Sequence, residues 1–328
     1  MELVLNNVNT QSRDLYPEKR SNKRFKNPFI EANTKEVSIQ HLVNDTILPV
    51  FSKDNEVTIS HAEFINATKS ALEQVFPLQQ FEEPNIRVSH IVKGRIPTAI
   101  GKSVKELLDN EKTIYYERLA FCIEIPSITK NVNGNELSLV VGGVRAFNNE
   151  NLYSKKSYEK FKVFIGFVNA VCTNLCVATD GFKNELKVLN VNDLQFGIET
   201  LFRGYNQEKH LGNMEHLSKF YLSMEQVAHL IGKMKMYQYL SASEKDNLFP
   251  LNFNDSQINT IAKNYFKDEN FNVSPEGVIS LWELYNLFTG AVKSSYIDSF
   301  LQRDLRAYEF IQELANSIQN EEPNFFLH

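Results

Sequence analysis

The stretch TIYYERLAFCIEI, residues 113–125, decides the fold class. Leu119, Phe121, Ile123 and Ile125 fall at every second position, with Tyr116, Arg118, Cys122 and Glu124 on the opposite parity. A period of two puts the apolar set on one face, the signature of a half-buried β-strand. Just downstream, Asn133-Gly134 supplies two residues that tolerate positive φ. ELSLVVGGVRAF (136–147) follows with Leu137, Leu139 and Val141 on one side, which predicts a β-hairpin. KFKVFIGFV (160–168) repeats the pattern, and NIRVSHIV (85–92) is a further strand.

Outside this centre the period changes. On the N-terminal side, ILPVF (47–51) predicts a strand. Ser60, with Glu63 three residues later, predicts a capping box opening a helix through Phe64, Ile65, Ala67, Ala71, Leu72 and Val75. After about residue 192 the apolar spacing becomes helical. Helices are predicted behind Ser223/Gln226, around Ile258–Tyr265, behind Ser280/Glu283, and over Ile297–Ile318. Strands followed by helices predict an α+β protein, with a central antiparallel sheet over about 85–190 and then an acidic helical region. Three regions result: a flexible basic N-terminal segment (1–35), a mixed region carrying the sheet (36–190) and a helical region (191–328).

The chain has 328 residues, 42% hydrophobic, with 24 Phe and 13 Tyr, enough to build a sizeable core. No run approaches 18 apolar residues and no secretory leader opens the sequence, so a soluble cytoplasmic protein is expected, with no membrane partner. Three cysteines do not make a disulfide scaffold. Charge is uneven within a net −5. Pro84–Val188 holds 15 Lys+Arg against 10 Asp+Glu, whereas Ser241–His328 holds 6 against 13. The basic middle and acidic end suggest two different roles.

Motifs of catalysis are weak. Cys172 and Cys176 in VCTNLCVATDG (171–181) have a spacing that zinc accepts, but no second ligand pair completes a site. Packed strand is the preferred reading over a metal clip or a redox pair. GKS at 101–103 matches the end of a phosphate loop, yet position 96 is Ile where that loop needs Gly, so a turn is preferred. The histidines are scattered, and His90 reads as an ordinary strand residue. Glu117 and Glu124 project to opposite faces and do not form a catalytic pair. No cofactor is predicted.

The most suggestive pattern is basic and aromatic together. Arg87, Lys93, Arg95, Arg118 and Arg145 lie on or near predicted strands, and NLYSKKSYEKFK (151–162) adds Lys155, Lys156, Lys160 and Lys162 with Tyr153 and Tyr158 between them. Cations for the backbone and rings for the bases are what single-stranded nucleic-acid binding requires. The bland alternative is a solvated basic face with locally packed tyrosines.

Several stretches carry a resemblance: NPFIEANT (27–34), RVSHIVKGRIPTAI (87–100), EKTIYYERLAFCIEIPSI (111–128), GGVRAFNNENLYSKKS (142–157), FIGFVNAVCTNLCVATDG (164–181) and LWELYNLFT (281–289). Together they resemble a bacterial domain-of-unknown-function family carried in mobile islands. More loosely, VCTN and WELYNLFT are similar to phage- and plasmid-like proteins in which a Cys-x-Asn segment precedes a helix with an Asn-x-x-Thr step. The resemblance implies a mobile-element setting and no catalytic residues. The expected function is non-catalytic DNA binding, preferentially single-stranded, in replication or recombination. The alternatives are a protein-interaction or scaffold component, including self-association, and an enzyme acting on nucleotides or nucleic acid.

Overall fold

Alternation along residues 113–125 becomes the central strand of a curled antiparallel sheet. The structure is a computed structural model describing residues 27–48, 58–151 and 158–327. In chain order its elements begin with β1 (Lys35–Val37), α1 (Ile39–Asn44), α2 (His61–Val75) and β2 (Asn85–Arg95). They continue with β3 (Lys112–Val132), β4 (Asn135–Ala146), β5 (Glu159–Asn169), β6 (Leu175–Cys176) and β7 (Phe182–Val188). Next come α3 (Val191–Gly204), α4 (Gln207–Leu217), β8 (Tyr221–Ser223), α5 (Met224–Tyr237) and α6 (Ala242–Lys245). The last are α7 (Asp255–Lys267), β9 (Val278–Ser280), α8 (Leu281–Val292) and α9 (Ile297–Gln319).

The sheet order is β1-β2-β3-β4-β5-β6, with β7 also pairing β5, and each pairing is antiparallel. The β3–β4 turn holds Asn133 at φ 50° and Gly134 at φ 82°, the left-handed pair that a two-residue hairpin demands. Its register is Val132↔Asn135 and Ile125↔Leu139, with an irregularity at Pro126–Ile128. Pro126 lacks the N–H that a continuous ladder would use there.

Helices cover both faces of the sheet. On the first, Phe64 of α2 inserts between Phe121 and Phe161, with ring centroids 5.0 and 4.7 Å away. Gly143 makes room for it: a Cβ there would lie 2.3 Å from the Phe64 ring. The helix α3 packs beside α2 on this face. On the second face lies α9, 23 residues long, against β3, β4 and β6. The expectation of a half-buried sheet is therefore corrected. Ala120, Glu124, Val140, Val144 and Phe164, on the parity opposite to Phe121, are buried as well. One continuous apolar core links sheet and helices.

Capping explains several helix starts. Ser60/Glu63, Ser223/Gln226 and Ser280/Glu283 form the predicted boxes, and Asn254/Gln257 adds another. Ser223 and Ser280 also close β8 and β9, which pair antiparallel. A second correction concerns the N-terminal segment. Residues 1–26 lie outside the described residues, but Phe29 and Ile30 are buried, and Glu31 N–H donates to the Lys293 carbonyl at 2.9 Å. Of the ILPVF strand, only Ile47 and Leu48 are described; Ile47 N–H donates to the Ile114 carbonyl at 2.9 Å.

Candidate nucleic-acid interface

Paired residues of an antiparallel ladder project to one face. Arg118 pairs with Ala146, and Ala120 pairs with Val144, which pairs with Lys162. Arg118, Lys160 and Lys162 thus stand on the α9 side, and Lys187 joins them as the β7 partner of Lys160. The first turn of α9 lies directly above. Asp298 places a carboxylate 3.8 Å from the Arg118 guanidinium, and its carbonyl accepts from Lys162 Nζ. Glu185 accepts from Lys160 at 2.6 Å and from Lys187 at 3.0 Å. Between these groups opens a cleft of about 210 Å³, lined by Val144, Ala146, Asn149, Lys160, Lys162 and Gln302 among others.

The electrostatics of the cleft favour an anion. Two cations, Lys160 and Lys162, and one carboxylate, Glu185, line it, while Arg118, Lys187 and Asp298 lie alongside through their ion pairs and hydrogen bonds. Burial pushes the Lys162 ammonium below its ordinary pKa, the sign of a charge that lacks solvent. Arg118 Nε is buried and donates to nothing among the described residues. No side chain caps the N-terminus of α9, unlike those of α2, α5, α7 and α8, so its partial positive charge faces the same region.

The other predicted cations are placed differently. Arg145 is corrected outright: its side chain is fully buried and meets no ligand. It is stacked between the rings of Phe147 and Phe161, each centroid 4.4 Å away. It pairs with Glu150 at 3.0 Å and with Glu159, and donates to the Ile59 carbonyl. Burial raises the Glu159 pKa against the pull of Arg145. Arg87, mostly buried, bonds Thr34 Oγ1 at 2.9 Å and the Thr34 carbonyl at 3.1 Å, tethering the chain before β1. Arg95 donates to the Lys102 carbonyl, and Lys93 is exposed. They pair with Lys112 and Ile114, so at about 3.4 Å per residue they lie roughly 20 and 14 Å along β3 from Arg118. Tyr158 is 54% exposed, two residues before Lys160. Tyr153, Lys155 and Lys156 lie outside the described residues.

Sequence reasoning missed Lys187, Asn149, Gln302 and Asp298. Lys187 was visible as a further cation on an alternating strand. Asp298 was not, because only tertiary packing brings the start of α9 over β3.

The remaining motifs are structural. Cys176 sits buried in β6, while Cys172 lies in the preceding turn, beside Thr173 at φ 59°. Packed strand therefore holds for Cys176 and is corrected for Cys172. Burial pushes the Cys172 thiol up to about 11 and Cys176 well above its ordinary value, so neither is a ready thiolate. The VCTN turn and the Asn-x-x-Thr step of α8 meet in a buried polar knot. Asn174 Nδ2 donates to the Asn286 carbonyl at 2.8 Å and Asn169 Nδ2 to Asn286 Oδ1 at 3.2 Å. Lys293 Nζ donates to Thr173 Oγ1 at 2.9 Å and to the Cys172 carbonyl. GKS is a turn: Lys102 pairs with Glu111, and Ser103 and Glu106 form a capping box. His61 and His210 are held neutral by burial, each lowered to about 3. Among the described residues no helix is long and apolar enough to cross a membrane.

Sheet and flanking helices define an α+β protein. The chain belongs to the DUF3871 family, described as "Domain of unknown function, B. Theta Gene description", whose model matches residues 12–327. No curated protein and no solved structure matches it.

Proposed function

We propose that this is a non-catalytic nucleic-acid-binding protein of a mobile element, which holds single-stranded DNA during replication or recombination in the cytoplasm. The observation that carries the reading is the cleft beneath α9. There Lys160 and Lys162 line the cleft, Arg118 and Lys187 stand on the same face of the sheet from neighbouring strands, and the uncapped N-terminus of α9 lies above them. A phosphate entering the cleft competes with Glu185 for Lys160 and adds an acceptor for Lys162. Tyr158 stands exposed beside it as a stacking surface.

Binding through three or four phosphates makes log K fall with log salt at a slope of about −2 to −3 for a single strand. The test is fluorescence anisotropy with labelled single- and double-stranded oligonucleotides at two salt concentrations. The comparison sets wild type beside Lys160→Glu/Lys187→Glu and Lys155→Glu/Lys156→Glu. The expected result is a preference for the single strand, the stated salt slope, and at least a tenfold loss in the first variant. Weak binding that ignores both salt and substitution overturns the reading.

A further inference from the structure

The connection between β2 and β3 presents a second surface, unrelated to the cleft. Residues 96–111 form an arm of three 3-10 turns, at Pro97–Ala99, Val104–Glu106 and Asp109–Glu111. The arm is tied by its own bonds. Ile96 N–H donates to the Glu111 carbonyl at 3.0 Å, Lys112 pairs with Asp109 at 2.7 Å, and Lys102 pairs with Glu111. Despite this order, Ile100 is 76% exposed, Val104 72% and Leu108 61%. Three aliphatic side chains at a spacing of four residues are thus held in water on a preformed support. Scattered exposed leucines need no explanation, but three large aliphatic side chains exposed on one short, internally bonded segment are an unusual concentration. The segment is net positive: residues 91–112 hold five Lys+Arg and three Asp+Glu, a balance of +2.

A complementary surface lies in the helical half. Val273 N–H donates to the Tyr265 carbonyl near the end of α7 at 2.8 Å, Ser274 N–H donates to the Val278 carbonyl at 2.9 Å, and Val278 pairs with Ser223 at the start of α5. The start of α5 and the end of α7 therefore share one end of the molecule. Tyr221, Met224 and Phe266 are exposed there, at 57%, 54% and 59%. Glu225, Asp268 and Glu269 accompany them against Lys267, so residues 221–225 and 266–270 together balance at one cation minus three anions, or −2.

We infer that the β2–β3 arm of one copy of this chain docks on the α5–α7 end of a second copy. Aliphatic side chains meet exposed Met and aromatic rings, and a +2 segment meets a −2 patch. Neither rival partner offers the same match. Nucleic-acid bases favour stacking rings, and no exposed aromatic residue lies among residues 96–111. An anionic lipid surface repels a chain of net charge −5. The two patches differ, so the contact is head to tail and propagates into a ring or a filament. The order already built into the arm reduces what must be immobilised on docking.

Sedimentation velocity over a concentration series, at low and high salt, tests this on the full chain. Wild type is expected to associate, less so at high salt. Two substitutions on the arm and the end of β2 beside it, Lys93→Glu/Lys105→Glu, and two on the patch, Glu225→Lys/Glu269→Lys, are each expected to give monomers. Mixed in equal amounts, they are expected to associate where neither does alone, because each arm then meets a patch of opposite charge on the other variant. Ile100→Asn/Val104→Asn/Leu108→Asn is expected to remain monomeric at every salt concentration, with a wild-type circular dichroism spectrum and melting curve. A wild type that stays monomeric throughout overturns the inference, as does association that survives the arm and patch substitutions alike. Binding of oligonucleotides or anionic vesicles that is lost on the triple substitution, without any change in self-association, overturns it too.

Discussion

The two faces of the sheet carry charge under opposite conditions. On the α2 face a single guanidinium, Arg145, is enclosed by two rings, two carboxylates and a carbonyl, and its bonding capacity is taken up. On the α9 face Arg118 reaches its carboxylate only at 3.8 Å and leaves Nε idle, and Lys160 shares Glu185 with Lys187. A charge sealed in an apolar layer must be satisfied internally, because the cost of leaving it unpaired falls on the fold. A charge beside a cleft can stay under-coordinated, because water or a ligand supplies the remainder. Two arginines on adjacent strands of one sheet thus read differently, the first as architecture and the second as binding capacity.

The largest effect that would break this contrast is expected at Arg145. Arg145→Ala leaves Glu150 and Glu159 facing each other without their cation, and is expected to destabilise the protein by about 3–5 kcal/mol in urea unfolding. A loss below about 1 kcal/mol would mean that the buried network is incidental.

Next in size is a pH effect. His61 and His210 have folded pKa values of about 3, below the ordinary 6.5, so the unfolded chain binds protons that the folded one refuses. Their contribution is complete above pH 6.5 and is lost as pH falls toward 3. At pH 5.5 each histidine is expected to remove about 1.4 kcal/mol. Thermal unfolding from pH 7.5 to 5 is expected to show a falling midpoint, and His61→Asn is expected to flatten the slope by about half. An unchanged slope in that variant would remove His61 from the account.

The smallest stability change is expected at Arg118. Arg118→Gln breaks a long, imperfect pair and is expected to change stability by less than about 1 kcal/mol, within the range of weak ion pairs. It is nevertheless expected to weaken oligonucleotide binding at least fivefold by anisotropy. A large stability loss with unchanged binding would place Arg118 with Arg145 and erase the distinction between the faces.

Much of this architecture is legible in the chain. Alternation in β3 and β5, the Asn133-Gly134 turn and the Ser60, Ser223 and Ser280 boxes are local signals, and the structure keeps them. Even the fate of Arg145 was within reach, because it shares the parity of Leu137, Leu139 and Val141 and so points into the same layer. The arrival of α9 on the second face was not. Residues 118, 120, 122 and 124 read Arg, Ala, Cys and Glu, too mixed to announce a buried surface. β8 and β9, three residues each, are too short to show any period. The cleft shares this opacity, since it exists only where the start of α9 meets three strands.

The Arg145 network also has a use in protein engineering. Glu150 and Glu159 grip the same guanidinium, so the end of the β4 segment and the start of β5 are tied to one point. Ends tied in this way tolerate an inserted sequence, since each doubling of inserted length adds only about 0.6 kcal/mol of closure entropy. A reporter peptide spliced between residues 154 and 155 should therefore leave the scaffold intact, making this a natural graft site.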